Sequence, residues 1–208
     1  MEFVAHSHRH GLTLFNAEEP YATLWGEITE AIESVTDDDL ASAFGDNIKE
    51  SKSLSPVINS LLHERFTTRG WARESPIFAE EDYLKGHKGR FRLDFAKGVV
   101  SVEVAFNHGE AAAWNLLKPV LASELNHVRK AIQTQVGVII TVTEDMKIEG
   151  GFDSAVGTYE KYVNYLRPLN NVLTVPLALI GLKAPQSFRI VHQKEGRRRI
   201  GRVEWVDL

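Results

Sequence analysis

The chain has 208 residues, of which 43% are hydrophobic, carries a formal net charge of -4 and contains no cysteine. That length can bury a sizeable core and is the scale of one domain, read here as spanning residues 1–208, while the missing thiols exclude disulfides, zinc–thiolate sites and cysteine nucleophiles. No basic start followed by a long apolar run opens the chain, and no segment nears the ~18 apolar residues of a membrane span. A cytoplasmic protein without membrane contact is expected, and any nucleic-acid binding must come from local basic patches.

Residues 2–15 alternate polar and apolar side chains and predict a strand pair turning at His10-Gly11. His6, His8 and His10 then share one side, as an exposed polar strand face; without cysteine or a fourth ligand they do not make a zinc site. Residues 18–35 place Leu24, Trp25, Ile28, Ala31 and Ile32 at helical spacing, and Asp37-Asp38-Asp39 reads as a solvated loop ending that helix. Ser55-Pro56 starts the next one, a capping hydroxyl followed by proline at the first helical position. It runs through Val57, Leu61, Leu62 and Phe66 to a stop at Gly70. A strand over 71–79 and a basic loop over 85–90 follow.

Residues 91–106 are the most informative segment. Two alternating strands flank a turn at Lys97-Gly98, the pattern of a half-buried hairpin. Period two puts Arg92, Asp94 and Ala96 on one face, and likewise Ser101, Glu103 and Ala105. If the paired strands turn those faces the same way, two carboxylates converge, an arrangement suited to a hard divalent cation such as magnesium, with water and phosphate completing its shell. A solvated Asp and Glu on an ordinary hairpin show the same spacing, and spacing alone does not separate the two readings.

Beyond the hairpin, residues 109–133 have helical character interrupted by Pro119, and 136–142 form a β-branched run typical of a strand buried on both faces. Gly150-Gly151 marks a loop, 159–167 a helix and 172–180 another buried strand. Two short strands, 188–191 and 200–205, flank the basic turn containing Arg197, Arg198 and Arg199. The alternation predicts an α/β fold with a mixed central sheet flanked by helices. Trp25, Trp71 and Trp114 fit core packing rather than a base-stacking row.

Residues 92–106, with the nine-residue step from Asp94 to Glu103, resemble the active-site hairpin of the BglII/BstYI group of type II restriction endonucleases, within the PD-(D/E)xK nuclease superfamily. The resemblance extends upstream to Glu64-Arg65-Phe66 and Gly70-Trp71, and downstream to Val175-Pro176-Leu177 and Leu179-Ile180-Gly181-Leu182. It covers roughly residues 1–185, through short and degenerate motifs. It implies a restriction-endonuclease-like core in which Asp94 and Glu103 hold Mg2+ together with the backbone carbonyl of Val104. The implied reaction is double-strand cleavage of a short palindromic DNA sequence, with a GATC-like core, leaving 5′-phosphates. Glu74, just after Trp71, falls where the group places a polar active-site residue, and Glu64 is a second, weaker candidate.

One position departs from the group. Two residues after the glutamate, where the superfamily has lysine and this group glutamine, stands Ala105; a methyl group cannot orient or deprotonate water. A residue such as Glu74, His108 or Lys118 substitutes in space, water activated by the metal suffices at a reduced rate, or the chain is a catalytically weak or inactive DNA-binding protein on the same fold.

Double-stranded DNA is the implied partner. Asn107 and His108 follow the hairpin and open the next helix: asparagine can pair bidentately with adenine and a helix start favours phosphate, although a plain turn and cap look the same in sequence. Asp153 and Ser154 sit in the glycine-rich loop as candidate base contacts. Of the two basic concentrations, residues 85–90 and Arg197-Arg198-Arg199, one is expected to meet phosphates. Cutting both strands of a symmetric site is simplest for a homodimer, and the alanine- and leucine-rich helical stretch within 109–133 is a candidate for its interface.

Overall fold

The computed structural model describes residues 1–46, 51–85, 90–125, 127–196 and 198–206. Its centre is a six-stranded sheet built from β1 (Phe3–His8), β2 (Ala72–Pro76), β3 (Arg92–Lys97), β4 (Val100–Val104), β5 (Val136–Val142) and β6 (Leu177–Leu182), in the order β1-β6-β5-β4-β3-β2. β4, β5 and β6 run parallel, while β1, β3 and β2 are antiparallel to their neighbours. The mixed α/β architecture expected from the alternation is therefore present.

Period two divides the sheet into two faces. Val100 and Val102 of β4, Val138 and Ile140 of β5, and Ala178 and Ile180 of β6 join one core with Ile28 of α2 (Tyr21–Glu33) and Leu62 and Phe66 of α4 (Ser55–Thr68). On the opposite face Ala105, Ile139, Leu177 and Leu179 pack with Leu116 of α6 (Ala112–Ser123) and Tyr162 of α8 (Tyr159–Leu166). Every residue of β5 and β6 is buried, as a strand covered by helices on both sides requires.

Several local expectations need correction. Residues 2–15 make one strand and then helix α1 (Gly11–Ala17), not a strand pair. His8 is buried and bonded through Nε2 to the Leu173 carbonyl at 3.0 Å, so the three histidines form no exposed strand face. Arg9 and His10 make the turn in left-handed conformations (φ 47° and 62°), and Gly11 lets it pack closely: a Cβ there would lie 2.4 Å from the carbonyl oxygen of Leu177. Gly11→Ala is therefore expected to cost about 1–3 kcal/mol of stability by overpacking against backbone, read as a lower urea midpoint; an unchanged midpoint would contradict this close approach.

Asp37-Asp38-Asp39 opens helix α3 (Asp37–Asp46) instead of closing α2 as a loop. Thr36 and Asp39 explain it, since each side chain accepts the other's backbone N–H at 3.1 Å, a reciprocal cap with three carboxylates in the first turn. The strand predicted over 172–180 begins only at Leu177, because Pro176 has no N–H to give a ladder. The helical stretch predicted over 109–133 is a 3-10 turn (Gly109–Ala111) and α6, which carries Pro119 inside it and ends at Ser123.

Two further helices are described, α5 (Glu81–Lys85) and α7 (Glu144–Glu149). The tail forms a separate antiparallel hairpin, β7 (Phe188–Glu195) and β8 (Arg198–Trp205). Phe188 and Ile190 bury into the first core, and Gly201 N–H donates to the Ser51 carbonyl. No helix among the described residues is long and apolar enough to cross a membrane.

Candidate active site

β2, β3 and β4 lie side by side at one edge of the sheet, and their register gathers the acidic side chains. Arg73 stands opposite Phe95 and Ser75 opposite Leu93, which sets Glu74 across from Asp94. Phe95 stands opposite Val102 and Ala96 opposite Ser101, which sets Asp94 across from Glu103. Residues directly opposed on antiparallel strands share a face, so Glu74, Asp94 and Glu103 form a row over three strands. The turn that makes this register is Gly98-Val99, one residue later than predicted, with Gly98 at φ 53°. Glu74 itself has φ 46°, a left-handed conformation a glutamate adopts only at a cost, and its carbonyl accepts from Arg92 Nη1 at 2.9 Å.

Hydrogen bonds fix the two inner carboxylates. Val104 N–H donates to Asp94 Oδ2 at 2.7 Å, and Asp94 N–H donates to Glu103 Oε1 at 3.3 Å. Lys118, reaching down from α6, donates to Glu103 Oε2 at 2.5 Å. Glu103 is 2% exposed and Lys118 9%. Burial pushes the Glu103 carboxyl up to about 8; the neighbouring Asp94 charge adds to this, and the Lys118 ammonium opposes it. Asp94 is also raised, mainly by burial with Glu74 adding, against the pull of Lys118 and the Val104 N–H. Both inner carboxyls are thus held above their ordinary values, and a bound cation would favour their charged forms.

Asp94 and Val104 open onto a pocket of about 290 Å³ walled by Asn59 and His63 of α4 and by Arg73 and Glu74 of β2. No group of three or more His, Cys, Asp or Glu side chains among the described residues is gathered closely enough to hold a metal alone. Two carboxylates and the Val104 carbonyl leave most of a cation's shell to water and phosphate, which is how magnesium is commonly bound.

A sequence model of the restriction endonuclease BglII/BglIII family matches residues 3–182. The chain belongs to this family. Its fold is similar to that of restriction endonuclease BglII in a crystal structure complexed with a DNA 16-mer, at TM-score 0.67 and 22% identity over 99% of this chain and 92% of that one. Free BglII matches at TM-score 0.56 and 20% identity, over 99% of this chain and 100% of that one. No curated protein matches the chain. Membership makes this chain an enzyme of the restriction endonuclease class, and the mixed sheet carrying Asp94 and Glu103 is the fold the family shares.

The other sequence candidates fall into three groups. Asn107 and His108 are exposed, as are Asp153 and Ser154, and the backbone joins the two loops. Gly109 N–H donates to the Ala155 carbonyl at 2.7 Å, and Gly157 N–H donates to the Asn107 carbonyl at 3.1 Å. Phe106 meets Phe152 edge-on at 5.9 Å beneath them. Arg198 and Arg199 lie at the tip of the β7–β8 hairpin, exposed. Arg197, and residues 86–89 of the other basic loop, lie outside the described residues.

Glu64 is the candidate the structure moves away. Its side chain is 61% exposed and pairs with Arg65 at 3.3 Å, whereas Asn59 and His63, four apart on α4, face the pocket. Sequence reasoning passed over Asn59, His63 and Arg73 because it searched for carboxylates, although helical spacing would have put the first two on one face. Lys118, among the candidates to stand in for Ala105, is the one that reaches Glu103; a lone lysine in the apolar run 116–121 is an isolated charge on a buried helix face and needs a partner.

Proposed function

We propose that this restriction endonuclease acts as a magnesium-dependent homodimer that binds double-stranded DNA and cuts both strands of a short palindromic sequence, leaving 5′-phosphates. The observation that carries this reading is the in-register row Glu74–Asp94–Glu103 with Asp94 and Val104 opening onto a pocket. The BglII structure bound to a DNA 16-mer supports double-stranded DNA as the ligand. Asn107, His108, Asp153 and Ser154 read base edges from the joined loops, and Arg198 and Arg199 contact phosphates from the hairpin tip. A two-fold dimer supplies one active site per strand.

Bound Mg2+ would acidify a water molecule and stabilise charge on the departing 3′-oxygen. The protein's part is orientation. The Val104 N–H holds Asp94, the Asp94 N–H and Lys118 hold both oxygens of Glu103, and the Val104 carbonyl completes the set of oxygens that would hold the ion. Hydrolysis adds the water oxygen to phosphorus and breaks the P–O3′ bond, with Arg73 and His63 at the pocket wall where the phosphate enters.

Lys118 supports an answer to the gap at Ala105. The methyl of Ala105 packs into the apolar cluster with Ala112, Leu116 and Ile139, on the face of β4 that also carries Glu103. Lys118 descends onto that same face from α6, so an ammonium reaches the carboxylate from the helix instead of from the strand. This favours an active enzyme over a non-cutting DNA-binding protein on the same fold.

Incubation with a long DNA of known sequence should yield discrete fragments with Mg2+ and intact DNA with a chelator; specific binding without cutting at high protein concentration would select the non-catalytic reading. Metal affinity is expected to climb as pH rises toward 8 and to level off above it, because Glu103 must give up its proton to act as a ligand. Calorimetric titration with Ca2+ in buffers of different ionisation enthalpy measures that proton release, and an affinity flat from pH 6 to ~8 would contradict it.

A further inference from the structure

Asn115 is a buried polar side chain with no part in the chemistry described so far. It is 3% exposed and sits on α6 one turn before Lys118, beside the apolar cluster of Ala112, Leu116 and Tyr162. Burying an amide in such surroundings is costly unless its polar atoms are bonded. Both N–H groups of Asn115 have acceptors: Nδ2 donates to Tyr162 Oη at 2.7 Å and to Asn107 Oδ1 at 3.0 Å. Tyr162 is wholly buried, so this end of the network is immobile.

Asn107, at the other end, is exposed. An exposed asparagine normally rotates among several orientations, and its oxygen and nitrogen ends exchange places at little cost. Here the oxygen is tied inward by Asn115, and the Asn107 carbonyl is tied by Gly157 N–H. With Oδ1 bonded inward, what is left for an outside partner is Nδ2, a pure donor, together with the second lone pair of Oδ1. That presents one fixed donor–acceptor edge of the kind that matches adenine N7 and N6 in the major groove.

Resting on the site-specific DNA reading proposed above, we infer that Asn115 is a positioning residue for sequence recognition, which sets the polarity of the Asn107 amide from inside the protein. Position 115 touches no base, yet it governs which base is accepted. An aspartate there would offer only acceptors to Asn107 and turn that amide round, so that Oδ1 faces the DNA.

The test selects binding sequences from short duplexes randomised at their centre, with chelator present so that nothing is cut. Wild type should recover one palindrome. Asn107→Ala should relax a single symmetric pair of positions in it, and Asn115→Leu should relax that same pair, with discrimination there falling about tenfold and the other positions kept. Asn115→Asp should act on the same pair and shift the preferred base, and Asn107→Ala combined with Asn115→Leu should be no more relaxed than Asn107→Ala alone. Recovery of the unchanged palindrome by Asn115→Leu overturns the inference. So does an even loss across all positions with a lowered melting temperature, which is the signature of a merely structural amide. A wild-type protein that enriches no sequence overturns the site-specific reading itself, and the inference with it.

Discussion

Asp94→Asn is expected to abolish strand cutting while leaving the fold and DNA binding in place. The substitution keeps shape and an oxygen able to accept the Val104 N–H now bonded to Asp94 Oδ2, so the strand pairing has no reason to change. What is lost is the formal charge that would hold a cation over the pocket, worth several kcal/mol of transition-state stabilisation and hence a drop of about 10³-fold or more in cleavage rate. Stability should hold or rise slightly. The Asp94 carboxyl is raised by burial, which means that its charged form is less favoured in the folded protein than in the unfolded chain, and removing that charge relieves a penalty. Supercoiled plasmid cleavage and gel-shift binding, run on the same preparation, decide the matter. Cutting within tenfold of wild type would remove Asp94 from the metal site.

Lys118→Met is expected to be the most destabilising single change near the site. Methionine fills a similar volume, so the dominant effect is electrical: Glu103, 2% exposed, loses the ammonium at 2.5 Å and has only the Asp94 N–H left among its described partners. Where Glu103 is ionised, breaking the buried pair by removing one member costs about 3–5 kcal/mol. The cost should depend on pH in a definite direction. Without Lys118 the Glu103 carboxyl, already pushed up to about 8, rises further. The folded state then keeps a proton that the unfolded chain has released above its ordinary value of 4.5. Both proteins therefore lose stability together as pH climbs from 4.5 toward 8; above 8 the wild-type Glu103 ionises against Lys118 while the variant's stays protonated, so the variant's extra, pH-dependent loss opens there. Pairing Lys118→Met with Glu103→Gln should restore most of the loss seen above pH 8, because the carboxyl that can no longer ionise against a partner is gone. Urea denaturation of the four members of the cycle below and above pH 8 gives the coupling directly; a loss below about 1 kcal/mol at the higher pH would show that the pair is solvated and has no positioning role.

Both experiments concern residues from different levels of organisation. Asp94 and Glu103 were legible because the hairpin is a local structure. Alternation over residues 92–104 and a glycine at the turn are enough to pair the strands, and pairing forces the two carboxylates to oppose each other. β5 was legible for a similar reason, since seven consecutive residues rich in valine and isoleucine suit only a strand covered on both faces. The helix from Ser55 announced itself by its proline at the start and Gly70 beyond its end.

The misread segments share a different cause. Residues 11–17 alternate as a strand would, yet Phe15 is buried in the core stacked on Trp25 at 4.8 Å, and Gly11 lies against the backbone of β6, more than 160 residues away in sequence. Those partners lie on α2 and β6, so no window around Gly11 contains the β6 backbone that shapes the turn. α3 was misread for want of one detail, the reciprocal Thr36–Asp39 cap, which was present in the sequence and overlooked in favour of the charge run.

Local pattern by itself determined the α/β class and the hairpin bearing Asp94 and Glu103, because strand period and turn chemistry act over a few residues. Only the tertiary structure decided which pocket those carboxylates open onto, that Glu74 stands in their row, and that Lys118 and Asn115 of α6 bond with Glu103 and Asn107. Those outcomes depend on how a helix seats on a sheet, and that seating follows from burying the apolar faces of α6 and α8 against β4, β5 and β6. Sequence spacing does not encode it.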